Sequence, residues 1–129
     1  MIRIGHVSVH VKDQEQALKF YTEKVGFVKK HDVSAGAYRW LTVTAPGTEG
    51  PEVVLEPMAF PPTAAYQQAL YEAGIPATQF MVDDLAREHA RMKALGVAFK
   101  SDPMDVGPAV IAAFDDTCGN WIQLAQLKR

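Results

Sequence analysis

A single cysteine, Cys118, stands in a chain of 129 residues. One thiol excludes an internal disulfide and any metal site built from several cysteines, and it suits a reducing compartment. No apolar run approaches membrane-spanning length and no signal-peptide pattern is present, so a cytoplasmic protein is expected. Excess charge is scarce too: thirteen Lys and Arg against fifteen Asp and Glu leave a formal net charge of −2. The basic residues form no stripe interleaved with aromatics. That argues against nucleic acid and against an anionic membrane surface as partners. What remains is an ordinary globular composition, 48% hydrophobic, at a length that suits one core.

The stretch "GHVSVHV", residues 5–11, alternates. Val7, Val9 and Val11 share one face of a strand; Ile4, His6, Ser8 and His10 share the other. The two imidazoles lie about 13 Å apart along that strand, too far to hold one ion. Any partner of His6 in metal binding comes from elsewhere in the chain. Asp13 with Gln16 three residues on reads as a helix N-terminus. Ala17, Leu18, Tyr21 and Val25 follow at helical spacing, and Gly26 suits the C-cap. This helix is expected to cover the valine face. Extended segments are expected near 27–33, 38–45 and 52–58, with the turn-rich "APGTEGP" before the last. A second helix is expected over 63–73, with Thr63 as N-cap and Gly74 beyond its end.

The first pattern then returns. "TQFMVDDLAREHARMKALGVAF" repeats the logic of "SVHVKDQEQALKFYTEKVGFV": a strand ending in Val, an Asp, an amphipathic helix, a Gly and an extended segment. Further strands are expected near 97–100, 108–114 and 120–126. The chain therefore reads as an α+β protein of two βαβββ modules, about 1–58 and 77–127, joined by a helical crossover at 61–75. The modules together are expected to form a single domain, a cupped, half-open sheet with helices outside and a groove within. Matching the modules pairs His6 with Ala77 and Glu56 of "VVLE" with Gln123 of "NWIQ". Three of these four side chains can bind a metal or hydrogen-bond a ligand.

The segments "HVSVHVKDQEQALKFYTEKVGF", "EVVLEP" and "FDDTCGNWIQL" resemble the vicinal oxygen chelate superfamily, which holds glyoxalase I, extradiol dioxygenases and bleomycin-resistance proteins. The resemblance covers nearly the whole chain and implies paired βαβββ modules and a homodimer. It implies metal ligands at His6, Glu56 and Gln123, with Ala77 where a histidine is usual. It also implies one divalent ion (Zn, Ni, Mn or Fe) or, with the altered quartet, none. His10 falls where glyoxalase-like members contact a substrate anion. The set is not the two-His-one-carboxylate arrangement of non-haem iron oxygenases, which disfavours a dioxygenase. Gln123 cannot serve as a base, so Glu56 is the one candidate for moving a proton.

Trp40, Met58, Phe60 and Trp121 are candidates for lining a ligand groove, although such residues more often belong to a core. Cys118, before Gly119 in a turn, reads as structural. His31 and His89 read as solvent-facing. The expected function is small-molecule binding in a sheet-lined groove, either with metal-dependent lyase or isomerase chemistry or as a metal-free, ligand-sequestering protein.

Overall fold

The computed structural model describes residues 1–129. The chain divides into two compact units, Met1–Ala65 and Tyr66–Arg129. No helix is long and apolar enough to cross a membrane.

The first unit runs β1 (His6–His10), α1 (Gln14–Phe20), β2 (Val28–Ala35), β3 (Tyr38–Thr44) and β4 (Glu52–Glu56). Its strands form one sheet in the order β1-β4-β3-β2, with β1 and β4 parallel. Helix α1 starts where Asp13 accepts a hydrogen bond from the Gln16 backbone, which satisfies one of the free N–H groups of the first turn. It does not run unbroken to Gly26. A π-helical turn, Tyr21–Val25, follows it, and Gly26 at φ 101° ends the element. That left-handed conformation is open to glycine at little cost.

Period-2 alternation divides this sheet into two unlike faces. One carries Val9, Val11, Leu41, Val43, Val53 and Leu55, all buried together with Ala17, Phe20 and Tyr21 of the helical segment. Val7, at the start of the valine row, stays exposed. The face turned away from α1 carries His6, Ser8 and His10 on β1, Tyr38, Trp40 and Thr42 on β3, and Glu52, Val54 and Glu56 on β4. Between β3 and β4 only Thr42–Val54 and Val43–Val53 are in register. Beyond them the Gln14 side-chain amide donates to both Arg39 O and Leu55 O, at 2.9 Å each. One side chain of α1 thus ties two strands where their own ladder stops.

The second unit contains β5 (Thr78–Met81), α3 (Leu85–Ala94), β6 (Met104–Asp105), β7 (Ala109–Asp115) and β8 (Trp121–Leu127), in the sheet order β5-β8-β7-β6. Helix α2, Pro61–Ala73, lies across the boundary between the units in sequence. It begins two residues before the expected Thr63, because proline needs no N–H partner and has a helical φ in a first turn. The strand expected at 97–100 reduces to one bridge, Phe99–Phe114. The turn-forming Ser101–Asp102–Pro103 stops it from pairing further.

Asp84 caps α3 as Asp13 caps α1. Val11 N donates to Glu56 O, and Val82 N donates to Ala125 O, both at 2.9 Å. These matched bonds correct the alignment of the repeat. His6 still corresponds to Ala77. Glu56, however, corresponds to Ala125, and Gln123 corresponds to Val54, since Ser8 pairs with Val54 as Gln79 pairs with Gln123. The sequence match used the ends of the apolar runs, whereas β8 is two residues longer than β4.

His89 is a second correction. It does not face solvent. It lies on the buried stripe of α3 with Leu85 and Met92, at i, i+4 and i+7. Its ring is 4.4 Å from that of Phe99, and Nε2 is buried without a hydrogen-bond partner.

Two stability outcomes follow from these contacts. Gln14→Ala should lower unfolding free energy in urea by about 1–3 kcal/mol, because two carbonyls lose their donor; a loss below ~0.5 kcal/mol would show that the tie is idle. His89→Leu should leave stability unchanged or raise it by about 1 kcal/mol, because an unsatisfied buried nitrogen is removed. A loss above that size would mean that the imidazole is held by more than packing.

Candidate functional site

The face of the first sheet turned away from α1 concentrates the reactive side chains of that unit. Glu56, half-buried at the end of β4, accepts hydrogen bonds from Ser8 Oγ at 3.2 Å and Tyr38 OH at 3.0 Å. Burial, and then the bond to Glu56, push the Tyr38 phenol above its ordinary pKa. Its proton therefore stays in place to orient the carboxylate. The His6 ring stands perpendicular to that of Trp40, with centroids 5.4 Å apart. Such a T-shaped contact fixes the edge of one ring against the face of the other. Trp40 keeps part of its surface open.

A second cluster lies toward the other end of the same face. Glu52 accepts from Thr42 Oγ1 at 2.7 Å and is 2.7 Å from His31 Nδ1. The bond from Thr42, then the one from His31, hold its carboxyl below the usual range against a desolvation effect that raises it. Of this face, Tyr38, Thr42 and Glu52 were not singled out by sequence reasoning, and His31 was read only as solvent-facing. The alternation of β3 and β4 places the first three on one side, but their partners depend on the register between strands, which one sequence does not carry.

The expected residues divide as follows. His6 is opposite Glu52, and His10 is opposite Glu56. His6 and Glu56 therefore stand at opposite ends of the β1–β4 pair, about 13 Å apart along the backbone. Met58 and Phe60 lie in the loop after β4, with Phe60 exposed and its carbonyl accepting from Thr63 N. In the second unit the Gln123 amide donates to Gln79 Oε1 at 2.6 Å. The Trp121 ring stacks on Tyr71 with centroids 5.1 Å apart, and its Nε1 donates to Tyr71 O. Tyr71 in turn donates to Asp115 at 2.6 Å. Cys118 is buried in a turn organised by Asp116, which accepts from the backbones of Cys118 and Asn120.

Divalent-metal binding is a matter of donor number, charge and convergence. No three His, Cys, Asp or Glu side chains gather around one point. Within each unit, the expected ligands Glu56 and Gln123 are engaged by hydrogen bonds to other side chains, Glu56 by two hydroxyls and Gln123 by a second amide. The first-unit counterpart of Gln123 is Val54, which has no donor atom. The residues present make hydrogen-bonding and aromatic surface.

Comparison with known proteins agrees with the fold. A protein of Bacillus subtilis (strain 168), "Uncharacterized protein YurT", is 46% identical over 126 residues, covering 97% of this chain and 99% of its own. The crystal structure of UcmS2 superposes with a TM-score of 0.85 at 32% identity, covering 97% of this chain and 98% of that one. TnmS3, described as an antibiotic binding protein from Streptomyces sp. CB03234, superposes with a TM-score of 0.78 at 30% identity, covering 99% and 98%. A sequence model of one family matches residues 3–124. The chain belongs to the Glyoxalase/Bleomycin resistance protein/Dioxygenase superfamily.

Proposed function

We propose that this protein binds a small aromatic molecule and sequesters it without metal and without chemical change. The observation that carries the reading is the composition of the first-unit face: Trp40 and His6 for an aromatic body, and Glu56, oriented by Ser8 and Tyr38, for a hydrogen-bond donor on the ligand. Ligand pockets characteristically combine such apolar surface with a few fixed polar groups. His10, opposite Glu56 in register, would add a further polar contact in this reading. TnmS3, similar along its whole length, is described as antibiotic binding.

A metal-dependent lyase or isomerase with His6, Glu56 and Gln123 as ligands and Glu56 as the proton-moving group is the competing reading. Against it stands the uncharged, mutually bonded Gln79–Gln123 pair. Val54 at the position matching Gln123 weighs the same way. An amide is a weak donor compared with a carboxylate, and two amides add no charge to hold a dication. The reading takes residues 1–129 as one functional domain of a cytoplasmic protein.

We also infer a homodimer. Ile4, Val7 and Val33 in the first unit, and Ile75, Met81 and Leu95 in the second, are exposed. Exposed apolar side chains of this kind are commonly covered by a partner.

Calorimetric titration tests the binding reading, with bleomycin and 2-naphthol as probes on tag-free protein. At least one should bind saturably, and Trp40→Ala should weaken it by at least about tenfold, the size of an aromatic anchor's loss. Prior dialysis against EDTA should change affinity by less than about twofold, since a bound first-row metal contributes far more than that. Absence of saturable binding for both probes, or a loss on chelation, would contradict the reading. Sedimentation at micromolar concentration should give a dimer; a monomer would remove the second copy.

A further inference from the structure

The register of β2 against β3 is regular except at one place. Lys29 faces Val43 and His31 faces Thr42, so Lys30 is an extra residue, a β-bulge. Without it, Lys30 would oppose Thr42, and His31 would oppose Leu41 on the face covered by α1. The bulge brings His31 to the face that carries Thr42 and Glu52. Bulges commonly re-aim a side chain in this way beside a functional site.

The environment waiting there is specific. Thr42 Oγ1 accepts the His31 backbone N–H at 3.0 Å and donates its own proton to Glu52 Oε1 at 2.7 Å. His31 Nδ1 is 2.7 Å from the same carboxylate oxygen and 3.3 Å from Thr42 Oγ1. An ionised carboxylate accepts only, so Nδ1 must carry the proton, and neutral His31 presents a bare Nε2. The side chain is 46% exposed and reachable, while Glu52 is held at 23%. Other charges near the pair do not compete for it. Lys30 favours the ionised Glu52, Lys29 bonds Asp32, and Arg39 bonds Asp32 and Glu15. His6 lies across from Glu52 on β1, with its ring against Trp40.

We propose that the Glu52–His31 pair is a proton-accepting site for a ligand bearing a weakly acidic hydroxyl, of the phenol or enol class. On binding, the ligand O–H bond breaks and an Nε2–H bond forms. The electron pair stays on the ligand oxygen, and the imidazolium is balanced by Glu52. The ligand is then retained as its anion by a charge-assisted hydrogen bond. This inference rests on the aromatic-ligand reading of the same face, assigns an acidic hydroxyl to His31 and leaves Glu56 to a second donor where the ligand carries one.

The test uses 4-nitrophenol, whose phenolate absorbs visible light and whose neutral form does not. Wild-type protein titrated into the phenol below its own ionisation midpoint should develop the phenolate band saturably. His31→Gln should abolish that band, and Glu52→Gln should weaken binding of the anion by about tenfold, the loss of one charged partner. Nitrogen NMR on the ligand-free wild type gives an answer that needs no variant: the Nδ1–H tautomer of His31 is expected, and an Nε2–H tautomer overturns the proposal. If the probe binds by calorimetry but stays neutral, the proton-accepting site fails while the binding reading stands. If the probe does not bind by either measurement, while 2-naphthol or bleomycin does, the proposal fails alone; if none of the three binds, both fall.

Discussion

Everything in the first unit follows from strand alternation working under an unequal load. Helix α1 covers one face of the β1-β4-β3-β2 sheet, and that face is apolar from Val9 to Leu55. Because side chains alternate, each apolar residue given to α1 sends its neighbours to the other side. A row of valines on β1 therefore obliges His6, Ser8 and His10 to share a face with Tyr38, Trp40, Thr42, Glu52 and Glu56. Burial of apolar area sets the register, at roughly 25 cal/mol per Å2 removed from water. The other face is mostly polar as a consequence, with Thr42 and Val54 on it fully buried. A slip of one residue would exchange the two faces entirely.

Two devices interrupt this regularity, and both are informative. Gln14 supplies hydrogen bonds where β3 and β4 leave register, so the sheet can open between Arg39 and Leu55 without orphaned carbonyls. The bulge at Lys30 changes which side chain of the edge strand reaches Glu52. The first preserves the fold at a point of divergence. The second alters the chemistry of one corner and leaves the apolar face intact. Lys29 and Lys30 on this exposed strand also discourage uncontrolled pairing of the edge.

Much of the architecture was legible in the sequence because local signals agree with it. Asp13 and Asp84 cap their helices, Gly26 ends its element, and the duplicated strand-Asp-helix-Gly pattern marks the two modules. Most of the misses depend on relations between segments. Glu56 and Gln123 are both polar residues ending apolar runs, but the hydrogen bonds of Val11 and Val82 place them two residues out of correspondence. His89 is a polar type on a buried stripe, so residue type pointed one way and helical spacing the other. His31 could not be placed on its face without knowledge of the bulge. Glu52 and Thr42 were passed over because a carboxylate and a hydroxyl gain meaning only from what stands opposite them.

The central claim is that ligand recognition belongs to the face of the first sheet turned away from α1. Residue-resolved NMR of the protein saturated with 2-naphthol tests it most directly. The account predicts that resonances of His6 and Trp40 shift together with those of His31, Thr42 and Glu52 on the same face, while Gln14, Ala17 and Phe20 of the covered side hold their positions. Shifts centred on α1, or confined to residues of the second unit such as Asp83 and Arg87, would contradict it.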